Sequence, residues 1–442
     1  MESKGWKLRK PFYGWVIVGV VFLIGSTEAG VFQNILSIFL KPMVEEFGWS
    51  RATVAGSIAF GSLCGGIASP WVGPILDRHG PRMVAFLGII ILSAGLVGMS
   101  FTRQIWQIYI FFGIGRMIAI GVLTLVISVT VSNWFIRQRG RAMGIAWLGP
   151  RVGSALLPLF VQYVIHSQGW RMAWSALGLL VFLLSALPAL IFLRRRPEDI
   201  GLWPDGEPPV LDKTQEKHRL NHVNTVPFNK ISDPEWTRAQ AIRTHSFWEL
   251  VLLSCLLLFC GGGINFHVYP FLTDQGVSEA SAVLAISIMA ISGAIGGLLW
   301  GLLTERSPTK VLLSIEVGLG GVVFLAFFWF LKAGMIWTLG VRIVYIFVGI
   351  YGFLFGGVYP LLSIIWAEFF GRTSLGSIQG VVNPFKLTAN ATGPVFGALC
   401  FDFFGSYTVP FLAFSIIYLI SVLIGLSLKT PRSTQLNHPD QR

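Results

Sequence analysis

The sequence predicts an all-α membrane protein of twelve transmembrane helices, arranged as two related six-helix halves. Three observations predict it. Apolar residues make up 54% of the 442-residue chain and charged residues only 12%, about half the charged share of an ordinary soluble domain. Apolar runs of the roughly 20 residues that a helix needs to cross a bilayer recur from one end to the other. The second half of the chain also repeats the first.

The expected spans, in order, are 13–40, 52–74, 82–101, 105–131, 141–166 and 171–193, then 246–272, 279–303, 310–331, 337–367, 374–401 and 406–428. Helices are required because only they satisfy every backbone polar group within one segment in lipid, and no porin-like alternation of period two is present. The start of the chain, Met1 to Lys10, is basic and runs into an apolar stretch too long for a signal-peptide core, so it reads as a retained first helix. Between the sixth and seventh spans lies the one long polar stretch, rich in Lys, Glu, Asn and Pro, which reads as a partly disordered linker. The expected organisation is an N-terminal bundle over 1–193, a cytoplasmic linker over 194–243, a C-terminal bundle over 244–428 and a cytoplasmic tail over 429–442. Cys64, Cys255, Cys260 and Cys400 all fall in apolar spans without metal-site company and read as small hydrophobes.

A net charge of +12 raises the possibility of a nucleic-acid partner, but its distribution removes it. Of the 33 Lys and Arg, 24 fall in the termini, the linker and the loops on one side of the bilayer, 6 on the other side and 3 within the spans. That asymmetry follows the positive-inside rule and places both termini in the cytoplasm of what is expected to be a bacterial inner-membrane protein.

The internal repeat is ungapped over long stretches. With an offset of 228, Gly48, Gly73, Asp77 and Arg78 fall on Gly276, Gly301, Glu305 and Arg306, and Arg82 on Lys310. With an offset of 236, Gly121, Gly140, Gly144, Pro158 and Gly169 fall on Gly357, Gly376, Gly380, Pro394 and Gly405. Parallel repeats of six helices suit a transporter that rocks two halves about a central site.

The run Gly73-Pro-Ile-Leu-Asp-Arg-His-Gly-Pro-Arg-Met83 resembles the loop 2–3 signature of the major facilitator superfamily, G-x-x-x-D-R-x-G-x-R-[KR], departing at Met83. Its echo, Gly301-Leu-Leu-Thr-Glu-Arg-Ser-Pro-Thr-Lys310, has Pro308 in place of the glycine. Arg116 followed by Gly121 resembles the superfamily's helix 4 signature. Asn133-Trp-Phe-Ile-Arg-Gln-Arg-Gly140, Gly169-Trp-Arg171, Arg196-Pro-Glu-Asp-Ile-Gly201 and Phe370-Gly-Arg372 resemble the bacterial monocarboxylate-porter and oxalate/formate-exchanger branch. Two features depart from that branch. Lys10-Pro-Phe-Tyr13 precedes the first Gly-Trp pair without an acidic residue, and the eighth span carries no cation.

Charges in lipid are costly and face a cavity or a partner. Arg116, Arg151, Lys386 and Glu28 lie near mid-depth, about 15 Å into its helix for Arg151, about 18 Å for Lys386 and about 22 Å for Glu28 at 1.5 Å per residue. Gln379, Asn383, Lys386 and Asn390 form one helical stripe at i, i+4, i+7 and i+11, either a substrate-facing surface or an inter-helix hydrogen-bond seam. Arg151 shares a face with Trp147 and Ser154 and lies one position from the repeat mate of Lys386. The two cations could form the halves of an anion clamp, or Arg151 could pair with Glu28 or backbone. The resemblance to oxalate/formate exchangers implies a substrate-contacting lysine on helix 11, at Lys386. Glu28 reads as a proton carrier or a static counter-ion, Arg116 as coupling or structure. Glu316, six residues past Lys310, reads as snorkelling to the cytoplasm. Asp77 reads as a gate element capping helix 11, with Glu305 doing the same for helix 5; Arg78, Arg82 and Arg306 belong to the same loops.

The function these observations favour is secondary active transport of a small organic anion, proton-coupled or by exchange. The alternative is export of hydrophobic or drug-like compounds, against which three mid-membrane cations and one carboxylate weigh for cationic cargo. No P-loop, HExxH or Ser/His/Asp grouping points to an enzyme. No cofactor, metal or ATP-hydrolysing subunit is called for, and the expected partners are the anion and membrane lipid, with a monomer sufficient.

Overall fold

The computed structural model describes residues 12–49, 51–206, 236–332 and 341–431. Twelve transmembrane elements follow one another. α1 covers 13–47 in pieces, Tyr13–Glu28, Ala29–Val31 and Gln33–Phe47. Then come α2 (Arg51–His79), α3 (Pro81–Met99), α4 (Ile105–Trp134), α5 (Arg139–Gln168) and α6 (Trp170–Phe192). The second half holds α7 (His245–Asp274), α8 (Glu279–Leu303), α9 (Thr309–Lys332), α10 (Arg342–Phe370), α11 (Leu375–Phe404) and α12 (Thr408–Ser427).

Among the described residues eleven helices are long and apolar enough to cross a membrane. The exception among the twelve is α11, which has 30 residues but carries the Gln379–Asn390 polar stripe. The expected first span, 13–40, is interrupted. The chain leaves helical geometry at Phe32 (φ −78, ψ 159) and resumes at Gln33.

Local chemistry sets several ends. Thr244 and Ser278 accept the amides of Phe247 and Ser281 as N-caps of α7 and α8, and Pro81 opens α3, where its missing N–H is not needed. The repeat mates Gly169 and Gly405 both take positive φ (85° and 62°) at the ends of α5 and α11, a region that glycine enters at no steric cost. The expected linker is partly built. Residues 194–206 lie against the bundle and Arg238–Ile242 is a short helix; the rest, 207–235, lies outside the described residues.

The repeat is visible in the packing. Within the first half α1 packs on α5, α2 on α4 and α3 on α6; within the second, α7 packs on α11, α8 on α10 and α9 on α12. The halves meet through α2 against α11 and α5 against α8, which are symmetry equivalents. Close approach there depends on paired glycines. A Cβ on Gly73 would run into the Gly376 carbonyl, and one on Gly140 into the Gly301 carbonyl, so each glycine of one repeat packs on the mate of the other.

Among the described residues, the close contacts between the halves lie toward the end that carries the basic loops. In α5, Gly140, Ala142, Met143 and Ala146 are buried, whereas Leu159 is 68% and Tyr163 74% exposed beyond them. In α11, Leu375, Ile378 and Val382 are buried, whereas Val395 and Leu399 are exposed. The bundle is therefore closed at the basic end and splayed at the other.

Candidate functional site

Two helix irregularities organise the mid-membrane groups, and both occur at repeat-mate glycines. Gly121 lies in a π-helical turn of α4, Ala119–Leu123, and Gly357 separates the two pieces of α10, Arg342–Gly356 and Val358–Phe370. Irregular turns free backbone groups that need other partners.

In the first half, Arg116 of α4 donates from Nη1 to the Val31 carbonyl at 2.9 Å and from Nε to Ser62 Oγ at 3.0 Å. Val31 ends the second piece of α1, just before the break at Phe32, so the guanidinium caps a helix C-terminus, where positive charge is favoured. Glu28, 3% exposed, accepts from Thr124 Oγ1 at 3.1 Å through Oε1. Its Oε2 has no hydrogen-bond partner among the described residues, and Arg116 is its nearby counter-charge.

Arg151 of α5 reaches into the opposite half. Its Nη2 donates to the Gly356 carbonyl at 3.5 Å, a long bond. Nη1 sits over Gly293 of α8, where an added Cβ would lie 2.7 Å away. Its electrostatic neighbours are Tyr359 and Glu316. Trp147, one turn before it, packs on Tyr359 with ring centroids 5.4 Å apart.

Lys386 faces α7 at Cys255, and no hydrogen bond or ion pair holds its ammonium among the described residues. The rest of the stripe divides. Gln379 donates to Ser128 Oγ (3.0 Å), and Asn383 to Ser69 Oγ (2.9 Å) and the Ile120 carbonyl (3.1 Å), all across the closed seam. Asn390 donates to the Leu258 carbonyl within its own half. In this state, then, Gln379 and Asn383 tie the halves together while Lys386 does not. Arg151 and Lys386 address different neighbours, and the described contacts do not join them.

At the basic end Asp77 accepts the Gly376 amide (2.9 Å), the Ser377 amide (2.7 Å) and the Ser377 hydroxyl (2.6 Å), which caps α11. Glu305 does not cap α5. It pairs with Arg141 at 3.0 Å, and the amides of Ile136, Arg137 and Gln138 are taken by Asp205 (3.1, 2.8 and 3.0 Å). Asp205, held at φ 58°, reaches from residues 194–206 to the turn that leads into α5, a different set of amides from the repeat mates of those that Asp77 takes. The same segment latches the other half. Arg372 donates to the Asn133 carbonyl at 2.8 Å and pairs with Glu198, and Trp134 Nε1 donates to the Arg194 carbonyl at 3.1 Å. Arg78 and Arg306 are exposed, and Arg82 donates to the Leu190 carbonyl at 2.6 Å.

Sequence reasoning missed four of these groups. Asp205 carried a signal, a Trp-Pro-Asp-Gly turn. Glu198 and Arg372 lay in motifs noted only for their resemblance. Gly293 carried none, because its role is to make room for a side chain of another half. Glu316 was misplaced, since the structure leaves it 1% exposed rather than at the cytoplasmic surface.

A family profile of the Major Facilitator Superfamily matches residues 21–387. The chain is 27% identical over 443 residues to human monocarboxylate transporter 12, covering 96% of this chain and 82% of that protein. It is 25% identical over 424 residues to the uncharacterized MFS-type transporter YcxA of Bacillus subtilis, covering 92% and 91%. Among solved structures, the human organic anion transporter MFSD10 superposes with a TM-score of 0.69 at 16% identity, over 94% of this chain and 100% of that one. The transporter FucP in the outward conformation gives 0.69 at 10% identity, over 95% and 100%.

Proposed function

The chain belongs to the Major Facilitator Superfamily, and we propose that within it the protein is a secondary active transporter of a small organic anion, a mono- or dicarboxylate, working by alternating access with proton coupling or exchange. The observation that carries the reading is the state of the two mid-membrane cations beside the interface of the halves. Arg151 has one long hydrogen bond, and Lys386 has no hydrogen bond or ion pair among the described residues. A desolvated cation with unfilled donors is a binding site for a carboxylate, the guanidinium through two parallel bonds and the ammonium as a point charge. The names borne by the relatives, monocarboxylate transporter and organic anion transporter, agree with that chemistry.

With the basic end in the cytoplasm, as the 24-to-6 division of cations favours, the splayed end faces outward. Asp77 on α11, the Arg141–Glu305 pair and the 194–206 strap are then the cytoplasmic gate of the outward-open state. Glu28 is a carboxyl available for coupling.

The reading is tested by thermal shift of the purified protein with lactate and succinate, against the Lys386→Ala variant. Truncating one partner of a buried charge-assisted contact costs about 2–5 kcal/mol, so the variant should bind more than tenfold more weakly. Equal stabilisation of both proteins by carboxylates would refute the site.

A further inference from the structure

Glu316 has no part in the reading above. It lies on α9, 1% exposed; the donor beside its carboxyl is the Gly357 backbone amide, and no side chain hydrogen-bonds either oxygen among the described residues. It borders a cavity of about 10 Å³, room for one water-sized group, together with Tyr351, Leu354 and Tyr418. The two tyrosine hydroxyls face each other at 3.3 Å, and the nearby Gly357 amide bonds the Leu354 carbonyl at 3.2 Å. The titratable and charged groups around it are Arg151 from α5, Tyr351 from α10 and Tyr418 from α12; Cys260 of α7 neighbours the two tyrosines and Tyr359 of α10 neighbours Arg151. Arg151 is the one cation of this set. It comes from the opposite half, and it is one of the two cations assigned to the substrate.

A single guanidinium thus stands between two possible counter-anions. A carboxylate with no side-chain hydrogen bond and deprived of its counter-charge in a low-dielectric site is expensive, and a proton removes the charge. We propose that Glu316 is a proton-binding residue coupled to the substrate through Arg151, so that one proton enters with each anion carboxylate. The inference rests on the anion reading and deepens it. With the site empty, Arg151 is the counter-charge of ionised Glu316. When a substrate carboxylate takes the guanidinium, Glu316 takes a proton from solution on the open side, forming its O–H bond. One negative and one positive charge have then entered together. When the anion leaves on the far side, Arg151 returns to Glu316 and the proton is released there. By linkage, proton and anion tighten each other's binding by the same factor.

The test is binding of lactate and succinate from pH 6 to 8, with pH-driven uptake and counterflow exchange in liposomes, on the wild type, Glu316→Gln and Glu316→Asp. The wild type should bind more weakly by several-fold per pH unit as pH rises. Glu316→Gln, a mimic of the protonated acid, should bind independently of pH, lose accumulation driven by a proton gradient and keep exchange. Glu316→Asp should retain the pH dependence. A Glu316→Gln protein that still accumulates anion on a proton gradient overturns the proposal, as does one that does not fold if Glu316→Asp also binds independently of pH. A wild type that binds neither carboxylate overturns the anion reading itself, and this inference with it.

Discussion

Two buried carboxyl–arginine sites lie in the bundle, one within a half and one between the halves, and they are built differently. Glu28 and Arg116 belong to one half. Arg116 is held by Val31 and Ser62 at ordinary distances, and Glu28 by Thr124. Glu316 and Arg151 belong to opposite halves. Among the described residues Arg151 has a single 3.5 Å bond to Gly356, and Glu316 has no side-chain partner. Both arginines sit at the carbonyl where a helix breaks, so the same backbone physics places them. The lesson lies in what remains available. A guanidinium held by two ordinary bonds within one half is suited to maintaining structure, whereas one lightly held between the halves is, on the proposed function, the one free to exchange its partner for a ligand.

The comparison can be broken by substitution. The largest effect should follow Arg151→Ala, which removes a carboxylate contact worth about 2–5 kcal/mol. Carboxylate affinity, read by calorimetry, should fall about thirtyfold or more, with a modest change in melting temperature. Arg116→Ala should do the reverse. It strands the Val31 carbonyl and Glu28, and leaving buried groups unsatisfied costs about 1–3 kcal/mol, so melting temperature should drop while affinity in the folded protein stays within a few-fold. If both variants lose affinity equally, the distinction between the two sites is wrong.

Smaller effects belong to the gate. Asp77→Asn weakens the cap on α11 by about 0.3–1 kcal/mol. Transport should slow several-fold while binding in the outward-open state is kept, measured as uptake and equilibrium binding on one preparation; a normal transport rate would count against the gate assignment. The smallest effect should come from the strap. Asp205→Asn should be mild, because Asn tolerates positive φ and retains one acceptor, whereas Asp205→Ala should lower stability by about 1 kcal/mol, read by denaturant titration.

The fold was legible because span length and the repeat are written in long runs of residues. The break after Val31 was not, since no proline marks it and its stability comes from Arg116, a residue of another helix. At the site, Lys386 stood out through its stripe, yet Gln379 and Asn383 look identical to it in sequence while serving the seam; periodicity identifies a polar face and not what covers it. Glu316 illustrates the same limit. Its depth, seven residues past the start of α9, suits snorkelling, and only the packing of α9 against α10 and α12 turns it inward. Glu305 was expected to repeat the work of Asp77, but it pairs with the Arg141 side chain instead, a choice that the repeat alone does not reveal.

The central claim is that the protein moves small organic anions without ATP. Its most direct test is uptake of labelled lactate and succinate by liposomes containing only this protein, beside neutral and cationic compounds of similar size. Saturable carboxylate uptake in the absence of ATP, competed by other carboxylates and lost when Arg151 and Lys386 are both replaced by alanine, is the predicted result. Uptake confined to neutral or cationic compounds, or carboxylate uptake that survives the double replacement, would contradict it.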